Sequence, residues 1–132
     1  MPIEEKTDMP TLCELVDKVK RSVDPAKVGM LACHNGIVRG TSRAGDPAEY
    51  LEIDCDRDAW NRVLEEVRTR PGIAAVEAFL NTGRREIGQD VLLVVVAGDI
   101  RENVFPVLEE TVNRLKREAV LKREKLAGDG RR

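Results

Sequence analysis

VLLVVVA, residues 91–97, is the core of the longest apolar run in the chain, and its reading sets the fold. Successive side chains of a strand point to opposite faces, so an unbroken apolar run is a strand that needs cover on both sides. It is far too short to span a bilayer. Just upstream, Ile73 to Leu80 reads as another strand and Asn81 to Gly83 as a turn. Arg84 to Ile87 is a short extended piece, and Gly88 and Gln89 lead into the run. Downstream, Asp99 opens a helix with Ile100, Val104, Val107, Leu108, Thr111, Val112 and Leu115 at helical spacing. Asp99 and Glu102 have the spacing of a capping box. Pro106 is awkward there, because an interior proline costs a helix about 3 kcal/mol. That predicts either a start near Asn103 or a kink.

Further out, Thr11 and Glu14 can cap a first helix whose apolar face is Leu12, Leu15, Val16, Val19 and Val23. Asp24-Pro25 ends it, since the residue before proline is pushed out of the α region. Val28 to Cys33 reads as a strand, His34-Asn35-Gly36 as a turn or bulge, and Ile37-Val38 as extended chain up to Arg39. GTSRAGDP, residues 40–47, has no periodicity and is the candidate ligand-facing loop. Tyr50 to Cys55 alternates, with Leu51, Ile53 and Cys55 on one face. Asp56 or Asp58 then caps a helix with Ala59, Trp60, Val63, Leu64 and Val67 as its buried stripe, stopped by Pro71-Gly72. The order α-β-β-α-β-(short β)-β-α predicts an α+β sandwich, long helices on a mixed or antiparallel sheet, rather than a doubly wound fold. Residues 1–10 read as a flexible arm, 11–126 as a single domain and 127–132 as a disordered tail.

Composition narrows the function classes. The 132 residues include 22 Lys and Arg against 24 Asp and Glu, a formal charge of −2, which speaks against bulk nucleic-acid binding. Aromatics are 3% of the chain, so the core is Val, Leu, Ile and Ala. Cys13, Cys33 and Cys55 are widely spaced, and His34 is the single histidine, which gives poor support for a metal site. They read as reduced, core or half-buried thiols. The opening MPIEEKTDMP is acidic and has no apolar core, so no secretory signal or membrane anchor is expected and the cytoplasm is the default.

Nothing in the pattern pairs a nucleophile with a base, and the glycines form no phosphate-binding loop motif. The basic residues are informative by position. Arg39 ends a strand at a glycine-flanked loop, Arg101 follows the most apolar strand at a helix start, and Lys116 and Lys122 lie at and beyond that helix's end. Taken singly, each reads as an exposed charge worth under about 1 kcal/mol. Their spacing alone leaves the function undetermined.

The chain resembles the large, MoaE-type subunit of molybdopterin synthase over residues 28 to 124. VGMLACHNGIVRG (28–40) is similar to that family's apolar strand followed by G-x-V-R, matched by Gly36, Val38 and Arg39. Gly83 and Gly88, the apolar strand, then Arg101 follow the family's glycine pair, strand and helix arginine. LKREAVLKRE (115–124) resembles its closing signature at Leu115, Lys116, Lys122, Arg123 and Glu124. The resemblance implies an α/β hammerhead-type fold. It also implies a homodimer, within a heterotetramer, flanked by small ubiquitin-like sulfur-carrier subunits. The implied reaction is sulfur transfer from a carrier thiocarboxylate to cyclic pyranopterin monophosphate, giving molybdopterin without metal or other cofactor. Lys116 and Lys122 would then be catalytic, and Arg39, Arg101 and Arg43 would bind the anionic pterin. The chain departs from the family pattern at Ile100, where histidine is usual, at Leu80-Asn81, and in lacking the aromatic before Lys122. The alternative is a diverged, non-catalytic paralogue that binds a pterin phosphate or a carrier protein.

Overall fold

The computed structural model describes residues 9–126. The expected arm and tail, apart from Met9 and Pro10, lie outside that range. The described elements are α1 (Leu12–Ser22), β1 (Met30–Ile37), β2 (Ala48–Cys55), α2 (Arg57–Val67), β3 (Ile73–Leu80), β4 (Gly83–Glu86), β5 (Asp90–Gly98), α3 (Arg101–Arg114) and β6 (Val120–Leu126). The strands form two antiparallel three-stranded sheets, in the orders β1-β5-β3 and β4-β2-β6. The α+β class holds, and both sheets are wholly antiparallel.

β5 is the central strand of the first sheet and is covered on both faces. Leu92, Val94 and Val96 pack with Trp60, Val63 and Val67 of α2 and Val104 and Val107 of α3, while Leu93, Val95 and Ala97 pack with Leu15 and Val19 of α1. Fully burying a side chain of this kind stabilises by about 1.5–3 kcal/mol, so the unbroken apolar run follows from its position. Met9 joins the α1 side of the core. Gly98, at the end of β5, permits a close approach: a Cβ there would fall 2.6 Å from the Gly72 carbonyl oxygen and 2.6 Å from Val104.

The caps at Thr11 and Asp56 form as their spacing predicts. Thr11 and Glu14 make the reciprocal box, and Asp56 Oδ1 accepts from the Ala59 amide at 3.1 Å. Four expectations need correction. The strand β1 runs through His34-Asn35, and the bulge falls after them, between Gly36 and Ile37. The late start near Asn103 does not occur: α3 begins at Arg101 with Pro106 inside it, because burial of Val104 and Val107 together outweighs the proline's cost of about 3 kcal/mol. The Asp99–Glu102 box does not form; Asp99 Oδ1 accepts from the Ile100 amide at 2.7 Å and from Asn103 at 2.9 Å instead. The element order does not end at the last helix, as the expected order had it. Leu115–Ala119 make a π-helical turn that buries Leu115 and Ala119, and β6 then pairs along β2. As a strand at the sheet's edge, β6 needs little apolar sequence, which is why LKREKL (121–126) gave no strand signal.

Candidate functional site: a cationic cleft beside an apolar slot

The reversal from α3 into β6 builds the site. Arg114 donates to Glu118 at 2.9 Å and pairs with Glu66 of α2 at 2.7 Å, and both carboxylates hold its guanidinium charge. This clamp fixes the π turn against α2, with Lys116 on it. In β6, Lys122 stands opposite Ile53 and shares the inner face of the sheet. Arg123 points to the other face, where it pairs with Glu52.

Lys116 and Lys122 thereby line one cleft of about 630 Å³ together with Arg39, Arg43, Arg117 and Asn113. Glu124 is the carboxylate on its wall. Arg39 is tied down, its Nε donating to the Thr41 carbonyl and its Nη2 to the Ser42 carbonyl, each at 3.0 Å. Ser42 is buried and accepts from the Asp46 amide through its hydroxyl, so the polar loop is organised around the guanidinium. Burial first, and then the charges of Lys122 and Arg43, hold the Lys116 ammonium below its ordinary pKa. Burial and like charge both disfavour an ammonium, and an anion in the cleft would offset them.

A second, smaller cavity of about 140 Å³ adjoins the first and shares Ile37, Leu51, Lys116 and Lys122 with it. The rest of its wall is Gly36, Ile53, Leu80, Val91, Leu92 and Val120. Both lysines therefore stand where a cationic compartment meets an apolar one. Chemically, the first can take a phosphate or carboxylate and the second a short extended chain with small side chains. Among the described residues, no three His, Cys, Asp or Glu side chains gather to hold a metal ion. No described helix is long and apolar enough to cross a membrane.

Of the residues singled out in the sequence, Arg39, Arg43, Lys116 and Lys122 meet in this cleft. Arg101 does not. It begins α3, whose 14 residues put it roughly 20 Å from Lys116 at about 1.5 Å per residue, and its side chain is 76% exposed. Two neighbours carried no usable signal in sequence. Asn113 lies one helical turn before Lys116, and His34, the sole histidine, sits on β1 close enough for the Lys116 charge to lower its pKa, burial being the larger cause. The three cysteines are less buried than expected: Cys13 and Cys33 are exposed, and Cys55 is intermediate.

The architecture and the cleft define a two-sheet α+β protein with a cationic cleft next to an apolar slot. The chain belongs to the MoaE protein family, whose model matches residues 6–118; Lys116 lies inside that match and Lys122 beyond it. A Haloferax volcanii protein named probable molybdopterin synthase is 32% identical over 122 residues, covering 86% of this chain and 46% of that protein. The chain thus spans about half the length of this curated relative. The fold is similar to that of the molybdopterin biosynthesis MoaE protein from Burkholderia ambifaria, with a TM-score of 0.73 at 24% identity over 94% of this chain and 88% of that one. It is also similar to a chain in the complex of subunits 1 and 2 of molybdopterin-converting factor from Helicobacter pylori, with a TM-score of 0.65 at 18% identity over 89% and 84%.

Proposed function

We propose that the chain is the large subunit of a molybdopterin synthase, transferring sulfur from the thiocarboxylate of a small carrier protein to cyclic pyranopterin monophosphate. The observation that carries this reading is the meeting of the cationic cleft and the apolar slot at Lys116 and Lys122. The reaction brings together a phosphorylated pterin and a carrier's C-terminal tail, and the two compartments suit one each. Arg39 and Arg43 hold the phosphate through charge-assisted hydrogen bonds worth about 1.5–3 kcal/mol each. Lys116 stands beside the thiocarboxylate and steadies the negative charge that moves during transfer, with Lys122 assisting. An ammonium held below its ordinary pKa also supplies a proton more readily than a solvated lysine.

The partner is a small ubiquitin-like carrier subunit; the two-subunit make-up of the Helicobacter pylori factor supports it. The chain works as a homodimer, within a heterotetramer. Arg101 would then serve the cleft of the neighbouring copy, since its own lies at the other end of α3. The setting is the cytoplasm, where both substrates would be made. A non-catalytic paralogue is not favoured, because the lysine pair stands intact at the junction. Mixing the chain with a thiocarboxylated carrier and cyclic pyranopterin monophosphate tests the reading: dithiolene product supports it, and none from a folded, carrier-bound chain refutes it.

A further inference from the structure

Among the described residues, two buried side-chain nitrogens have no hydrogen-bond partner: His34 Nε2 and Arg85 Nε. An unpaired buried polar atom costs about 1–3 kcal/mol, so each calls for a reason. For His34 the surroundings supply one. Its Nε2 lies only 3.0 Å from where a Gly36 Cβ would stand, and Gly36 shares the wall of the apolar slot with Lys116. β1 carries His34 on the same face as Ala32, which packs into the core beside α3. The π turn after α3 brings Lys116 to the wall of the same slot.

We propose that His34 is a positioning residue for Lys116: the Lys116 side chain turns its ammonium onto the Nε2 that stands unpartnered in this structure, and a neutral imidazole protonated at Nδ1 accepts that hydrogen bond and holds the amine beside Gly36. The imidazole is suited to this, because burial and the nearby Lys116 charge keep it uncharged and leave Nε2 a lone pair to offer. A neutral acceptor is what this crowded site requires. A carboxylate there would neutralise Lys116 and compete with the anionic substrate, whereas an imidazole fixes the amine's direction and leaves its charge in place. The other charged groups on this side are Lys122, Arg39, Arg43 and Arg117, with Glu124 opposed to them. The proposal rests on the reading of Lys116 as the acting lysine, and it adds a residue at a position that the carried-over family motif does not use.

Nitrogen NMR of the labelled chain tests it without any turnover. His34 is expected as the Nδ1–H tautomer; the Nε2–H tautomer would overturn the proposal. In a titration of the Lys116 side chain, His34→Phe removes the acceptor and should increase the ammonium's acid dissociation constant by about threefold or more, while His34→Gln, which keeps an acceptor, should restore it. Identical titrations in all three proteins would also overturn it. If His34→Phe does not fold, Lys116→Met in the wild-type background should return His34 to the Nε2–H tautomer, and persistence of Nδ1–H counts against the contact. In the conversion assay, His34→Phe should lower kcat more than it raises KM. A chain that passes the NMR tests yet makes no product speaks against sulfur transfer and leaves the His34 contact standing.

Discussion

Lys116 and Lys122 line the same two compartments, although one stands on a π-helical turn and the other on the strand that follows it. Two ammonium groups lining one cleft repel, and Lys116 registers its burial first and then that repulsion. Function and stability are therefore opposed at this point.

The first prediction follows from that opposition. Folding lowers the pKa of Lys116 below its ordinary 10.5, so the folded chain binds this proton less tightly than the unfolded one. The penalty is present in full at neutral pH, where the lysine is charged in both states. It is relieved as pH rises through the folded value towards 10.5. Lys116→Met should therefore melt at a higher temperature than wild type at pH 7, with the gap closing in alkaline buffer. A lower melting temperature at pH 7 would contradict this.

Arg39 both organises the 40–47 loop and faces the cleft. Arg39→Ala should weaken binding of the pterin monophosphate roughly tenfold or more, since one charge-assisted hydrogen bond is worth about 1.5–3 kcal/mol. Arg39→Lys should not rescue it, because a lysine cannot span the Thr41 and Ser42 carbonyls with a rigid fork. Calorimetric titration checks both.

Arg101 yields a complementation test. A dimer that shares sites predicts that Arg101→Ala and Lys116→Ala are each inactive, yet regain about a quarter of wild-type turnover when mixed, as half the dimers are hybrids with one intact site. Full activity in Arg101→Ala would remove it from the site. Its exposure predicts a melting temperature close to that of wild type in either case.

Pro106 should be a stability reserve. It lies on the exposed side of α3, where it cannot donate to the Glu102 carbonyl. Pro106→Ala is expected to stabilise the fold by about 1 kcal/mol or more, and Asp56→Ala to cost about 1 kcal/mol through the lost cap of α2. Urea denaturation measures each.

Most of the fold could be read from VLLVVVA outward, because a strand with two covered faces and three amphipathic helices leave a strong periodic signal. β6 could not, since at the edge of a small sheet it packs little and its Lys-Arg-Glu content fits a helix equally well. Pro106 misled for the opposite reason: a local penalty was outweighed by burial on the far side of the same helix. Within the site, Arg39, Lys116 and Lys122 stood out by their place at element ends and by a family motif. His34 read as a turn residue, because the turn signal of Asn35-Gly36 hides a strand that runs on to a bulge between Gly36 and Ile37. Arg101 was grouped with the others by its place at a helix start and by the motif, and one copy of the chain does not bring it to them.

The central claim is that the Lys116 junction performs the sulfur transfer. Conversion of cyclic pyranopterin monophosphate by a thiocarboxylated carrier, measured with wild type and with Lys116→Ala of matched fold and carrier affinity, tests it most directly. The account predicts dithiolene product from wild type and a loss of about a hundredfold or more in the variant. Turnover by Lys116→Ala at a rate near that of wild type would contradict it.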